Sequence, residues 1–147
     1  MYELIVVGTD GSDTAQRAVA EATRLAKAVG SELHIVSAYE PLRGTRIVGA
    51  PEAAAKVWAV LPDAQVQAVI EQAVAKARLS GLDVTPHVLT GDPADALLEI
   101  AEQQKADLIV VGNRGMHGMK RVLGSVPNKV SHRARCNVLI VTTDDDG

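Results

Sequence analysis

The sequence predicts an open, five-stranded parallel α/β sheet with helices on both faces. Three observations carry that expectation. Short blocks of aliphatic and β-branched residues recur at 4–7, 33–39, 84–90, 108–111 and 137–143. Between them lie segments whose apolar residues repeat at helical spacing. Two of the blocks run out into glycine and small polar residues, at Gly8-Thr9-Asp10-Gly11-Ser12 and at Gly112-Asn113-Arg114-Gly115. Strands alternating with helices make a parallel sheet covered on both faces, and right-handed crossovers leave few topologies. Ligands in such sheets sit at the carboxyl ends of strands, where the winding reverses. The Rossmann-like strand order 3-2-1-4-5 makes the first and fourth strands neighbours, so the two glycine turns face each other across one crevice.

Leu4, Ile5, Val6 and Val7 are apolar without alternation and stop at Gly8, the pattern of a strand buried on both faces. Ser12 or Asp13 caps the next segment. There Ala15, Ala18, Val19, Ala22, Leu25, Ala26 and Val29 share one helical face, and Gly30 stops the helix. Residues 33–39 form the second strand. The stretch 40–62 holds Pro41, Gly44, Gly49, Pro51 and Pro62; it reads as a long excursion with a short helix at 52–58, a candidate lid. From Asp63 the stripe Val66, Val69, Ile70, Ala73, Val74 and Ala77 marks another helix, stopped near Gly81. Pro86 places the third strand, 84–90, at an edge of the sheet. Asp92-Pro93 is a cap followed by a first-turn proline, and Leu97, Leu98 and Ala101 give that helix its buried face. Residues 107–112 are the fourth strand. Ser125 starts the last helix, with Pro127 tolerated in the first turn and Val126, Val130 and Ala134 facing inward. Residues 137–143 are the fifth strand, which closes a single domain over 1–143. An acidic tail, Asp144, Asp145, Asp146 and Gly147, follows.

Composition bounds the function. A chain of 147 residues, 47% apolar but without phenylalanine, builds one domain on an aliphatic core. A net charge of −3 does not suggest nucleic acid or membrane as partner. No apolar run approaches the ~20 residues of a membrane span. One cysteine, Cys136, excludes an intramolecular disulfide and suits a reducing cytoplasm; the strand-like run at the N-terminus has no basic leader before it.

The chemistry converges on residues 110–126. An apolar strand end, a loop with Gly112, Gly115, Gly118 and Gly124, and a helix beginning at Ser125 together form an anion cradle. Glycine brings main-chain N–H groups close to a ligand, and a helix N-terminus adds partial positive charge. Between Asp107 and Asp144 there is no acid, while Arg114, Lys120, Arg121, Lys129, Arg133 and Arg135 all occur there. The chain lacks the dinucleotide fingerprint G-x-G-x-x-G in its first turn, and G-x-x-x-x-G-K-[ST] anywhere, which excludes a P-loop. Asp10 reads either as a carboxylate satisfied within its own turn or as one at the mouth of a nucleotide crevice. His34, His87, His117 and His132 show no metal-ligand spacing. His34 reads as structural, Cys136 as a small buried residue, and Trp58 as either lid packing or cover for apolar surface.

Taken together, the two turns resemble those of small, single-domain, nucleotide-binding universal stress proteins. The likeness runs from Thr9-Asp10-Gly11-Ser12 to Cys136-Asn137-Val138-Leu139-Ile140-Val141 and omits only the excursion. Family members that bind ATP carry G-x-x-G and then, beyond an interval, G-[ST]. Gly112-Asn113-Arg114-Gly115 and Gly124-Ser125 match, with eight residues between them, one fewer than the family pattern. The resemblance implies that Thr9 and Asp10 line the adenine and ribose side and that the backbone of Ala38 touches the base. It implies Gly112, Arg114 and Gly115 along ribose and phosphate, and Gly124, Ser125 and Val126 holding phosphate.

It also implies a cytoplasmic stress-response regulator that binds ATP or a related adenine nucleotide, with or without Mg²⁺, and is not an enzyme. Three alternatives stand beside that expectation: a slow ATPase using the same pocket, a cyclic-AMP-binding protein, and a ligand-free interaction module. No general base or Mg²⁺-binding cluster supports phosphoryl transfer. The expected assembly is a homodimer through the fifth strand, since Val138, Leu139, Ile140 and Val141 carry nothing to blunt an edge.

Overall fold

The computed structural model describes residues 1–39, 52–113 and 123–142, with residues 52–63 described by backbone alone. Five strands form one parallel sheet: β1 (Leu4–Gly8), β2 (Glu32–Tyr39), β3 (Val84–Thr90), β4 (Leu108–Gly112) and β5 (Asn137–Val141). Their order is β3-β2-β1-β4-β5, as the sequence predicts. Four helices alternate with them: α1 (Asp13–Val29), α2 (Glu52–Arg78), α3 (Pro93–Gln104) and α4 (Ser125–Arg133).

The strand pleat divides the core in two. Ile5, Val7, Leu33, Ile35, Leu108 and Val110 face α1 and α2, while Val6, Val36, Ile109 and Val111 face α3 and α4. Ile5, Val6, Val7, Leu33, Ile35, Ile109 and Val110 have no exposed surface. Strands covered on both faces need no polar alternation, which is why LIVVG occurs as both β1 and β4. Burial of each such side chain contributes about 1.5–3 kcal/mol.

Two backbone ties fix the lower edge of the sheet. The Asp107 carboxylate accepts from the N–H groups of Glu3 (2.9 Å) and Leu4 (3.0 Å), joining the starts of β1 and β4. Burial acts to raise the Asp107 carboxyl, but these N–H groups outweigh it and hold it below the usual carboxylate range. On the α3 side of the sheet, His34 Nδ1 lies 2.8 Å from His87 Nε2, and the rings stack at 5.1 Å. This pair joins β2 to the edge strand β3. Burial lowers both imidazoles, which favours a hydrogen bond in which one neutral ring donates its N–H to the other.

One expectation changes. The proline and glycine content of 40–62 suggests a break between a short helix at 52–58 and a second helix from Asp63. Instead α2 is continuous from Glu52 to Arg78, with Pro62 inside it. An interior proline costs one hydrogen bond and ~3 kcal/mol of helix propensity. The run Glu52-Ala53-Ala54-Ala55-Lys56 carries the strongest helix formers, and these favour helix on the N-terminal side of Pro62. Residues 40–51 of the candidate lid lie outside the described residues.

Candidate functional site

The carboxyl ends of β1, β2 and β4 open onto a cleft of about 120 Å³. Gly8, Thr9, Asp10 and Ser12 form one wall, Val36 and Ala38 the side toward β2, and Val111 and Gly112 the end of β4. Pro93 and Leu97 of α3, and Val126 and Pro127 of α4, form the wall opposite α1.

The β1 wall is internally satisfied. Thr9 N donates to Val36 O at 2.9 Å, and the buried Ser37 hydroxyl donates to Thr9 O at 2.9 Å. Gly11 N donates to Thr9 Oγ1 (3.2 Å) and Ser12 N to Asp10 Oδ1 (2.9 Å). Ser12 Oγ then caps α1 by accepting from Ala15 N at 3.2 Å. Two glycines keep this turn close to its neighbours, Gly11 by its left-handed backbone and Gly8 by a tight approach to a side chain. Gly11 holds φ +85°, and a Cβ there would stand 2.9 Å from Val69 Cγ2 of α2; a Cβ on Gly8 would stand 3.0 Å from Leu97 Cδ1. Both readings of Asp10 therefore meet: one oxygen closes its own turn while the residue lines the cleft.

The α4 wall differs. Gly124 is the N-cap of α4, in extended geometry (φ −62°, ψ 167°), and as a glycine it makes no side-chain cap bond. Gly124 N donates to Asn113 O at 3.1 Å, which ties the helix start to the end of β4. The N–H groups of Ser125 and Val126 follow, and Pro127 has none. A helix start of this kind favours an anion.

The cations of the region are disposed otherwise than the sequence suggests. Lys129 Nζ lies 2.9 Å from Asp95 Oδ1 and 3.2 Å from Asp92 Oδ2. Arg133 approaches Asp95 at 3.9 Å, and Arg135 approaches Glu102 at 3.8 Å. These three side chains pair with acids of α3 because α4 packs beside it. Asp95, then Asp92, raises the Lys129 ammonium, and the Asp95 N–H, with help from Lys129, keeps the Asp92 carboxyl low.

Of the residues expected from sequence, Thr9, Asp10, Ala38, Gly112 and Val126 meet in the cleft, and Gly124 and Ser125 open the helix beside it. Arg114 and Gly115 lie outside the described residues, as do Lys120, Arg121 and His117. Sequence reasoning missed the contribution of α3. Pro93 and Leu97 line the cleft, and the signal was present in Asp92-Pro93, a helix start placed after an edge strand. Cys136 is half-buried, and burial, then the Asp107 charge, pushes its thiol up, which disfavours a nucleophilic thiolate. Among the described residues no group of three metal-ligating side chains occurs, and no helix is long and apolar enough to cross a membrane.

Comparison with known proteins agrees with this geometry. The model of the universal stress protein family matches residues 1–142. The chain is 40% identical to universal stress protein Rv1636 of Mycobacterium tuberculosis H37Rv, over 97% of each chain. It is 34% identical to universal stress protein MJ0531 of Methanocaldococcus jannaschii, over 96% of this chain and 82% of the relative. Among solved structures, a universal stress protein in complex with cAMP superposes with a TM-score of 0.75 at 38% identity, covering 97% of this chain and 98% of the other. The Archaeoglobus fulgidus protein in complex with dAMP gives 0.66 at 25% identity, covering 96% and 98%. The chain belongs to the universal stress protein family.

Proposed function

We propose that this protein is a cytoplasmic regulator that binds an adenine nucleotide in the cleft between Thr9-Asp10 and the start of α4. The observation that carries this is the contrast across the cleft: a hydrogen-bonded β1 turn faces a helix N-terminus whose cap residue is a glycine with no side chain to close it. Adenine lies toward Ala38, ribose near Asp10, and phosphate against the N–H groups of Ser125 and Val126. Gly112 lets the chain leave β4 close to the ligand, and the family resemblance assigns ribose and phosphate contacts to Arg114 and Gly115. The relatives solved with cAMP and dAMP support an adenine nucleotide of some kind. ATP follows from the family pattern, and the loop one residue short relaxes the choice among ATP, ADP, AMP and cAMP. Among the described residues Asp10 is the one carboxylate lining the cleft, which favours Mg²⁺ arriving with a triphosphate over Mg²⁺ held by protein ligands.

Competitive calorimetric titration of the four nucleotides tests this. Binding of at least one, with ATP preferred by less than about a hundredfold (~2.7 kcal/mol), is expected. Absence of binding by all four contradicts the proposal. The protein binds rather than turns over: ATP hydrolysis with Mg²⁺ stays far below ~1 s⁻¹, where ordinary enzymes begin. Faster turnover that falls in Asp10→Asn makes it an ATPase instead.

Assembly is part of the same proposal. β5 is an edge strand, with Leu139 37% exposed and Val138, Ile140 and Val141 half-buried. Two copies pair through it across a two-fold axis. Light scattering gives a dimer at micromolar concentration and a monomer for Leu139→Asp; a monomeric wild type contradicts the assembly.

A further inference from the structure

Lys129 sits beside the nucleotide cleft rather than in it, and it is engaged by acids. It lies four residues beyond Ser125 on α4, a rise of ~6 Å from the helix start. Its ammonium is held by two carboxylates of α3, at 2.9 Å and 3.2 Å, and one of these also meets Arg133. Asp92 is the cap of α3 and precedes Pro93, which lines the cleft. The four charged groups cancel, so Lys129 and Arg133, paired in this way, bring no net charge to the cleft. All four are partly exposed, at 31–63% of their side-chain surface, so the arrangement can open and close without unfolding.

We propose that Asp95, acting with Asp92 through Lys129, is a specificity determinant of the nucleotide cleft that disfavours highly charged phosphate chains. This rests on the phosphate end lying at the start of α4. A nucleotide with a single phosphate charge meets the helix N–H groups and needs no cation from the cluster. A triphosphate carries more charge than two N–H groups neutralise, and any help it draws from Lys129 is opposed by Asp95 and Asp92. The selection is electrostatic, so it scales with ligand charge and weakens with salt.

Two substitutions shift the balance in opposite directions. Asp95→Asn keeps the shape, leaves the Asp92 cap in place and frees positive charge. Lys129→Met keeps the helix and leaves two carboxylates without their cation. Adenosine, which has no phosphate, is the reference ligand. The measurement is titration of adenosine, cAMP, AMP and ATP (without Mg²⁺) against wild type and both variants, at low and at 0.5 M salt. Relative to adenosine, Asp95→Asn strengthens ATP by roughly five- to tenfold at low salt, with AMP and cAMP changed less. Lys129→Met weakens ATP by a similar factor, and both effects shrink at high salt. Equal changes for adenosine and ATP, or unchanged ATP-to-adenosine ratios in both variants, overturn the charge selection and leave nucleotide binding intact. If wild type binds none of the four, the nucleotide proposal falls, and the selection with it.

Discussion

α3 and α4 both begin at the cleft, and they begin differently. At α3 the Asp92 carboxylate accepts from Asp95 N at 3.0 Å, Pro93 follows, and Asp95 adds negative charge to the first turn. Every requirement of a helix start is met from within the chain. At α4 a glycine occupies the cap position and makes no side-chain cap bond, and the first turn has no acid. The difference shows which helix serves the fold and which serves a ligand. A capping side chain at position 124 would be worth only a few tenths of a kcal/mol over glycine. It would also occupy the N–H groups that an anion needs.

Reversing α4 gives the largest expected effect. In Gly124→Asp, the extended backbone accepts any residue, so a cap forms without strain. Apo stability rises slightly, by ~1 °C in thermal midpoint. Affinity for every phosphate-bearing nucleotide falls by more than about a hundredfold (~2.7 kcal/mol). Retained affinity in a folded variant breaks the comparison.

Much of this was legible from sequence, for physical reasons. Uninterrupted apolar blocks such as LIVVG identify strands covered on both faces, and glycine turns at their ends locate the crevice. Two things were not legible. Pro62 suggests a helix break, but the alanine-rich run before it sustains α2. Lys129, Arg133 and Arg135 read as part of a phosphate-binding patch, because a charge run in sequence does not say which neighbour a helix face will meet. Only the packing of α4 beside α3 assigns those cations to Asp92, Asp95 and Glu102.

Removing the cap of α3 gives an intermediate effect of the opposite kind. Asp92→Ala costs about 1 kcal/mol, or ~2–4 °C in thermal midpoint, with adenosine affinity changed less than about threefold. A large loss of adenosine binding would mean that α3, too, contacts the ligand through its start.

The smallest effect is in pH dependence. The folded Asp92 carboxyl lies below its ordinary value because its charged form accepts the Asp95 N–H and meets Lys129. A depressed carboxyl contributes stability above the unfolded value of ~3.9, and that contribution is lost as pH falls through the folded value. The gap in thermal midpoint between wild type and Asp92→Ala is therefore full at pH 7 and narrows below pH 4. A gap that widens in acid contradicts the assignment.

The central claim, that phosphate binds at the open start of α4, is tested most directly by amide chemical shifts. Labelled protein is titrated with adenosine and, separately, with cAMP and AMP. Adenosine is expected to move the amides of Thr9, Asp10 and Ala38 while leaving those of Ser125 and Val126 in place. Addition of a phosphate moves Ser125 and Val126 as well. Shifts confined to Thr9, Asp10 and Ala38 with all three ligands would contradict the claim.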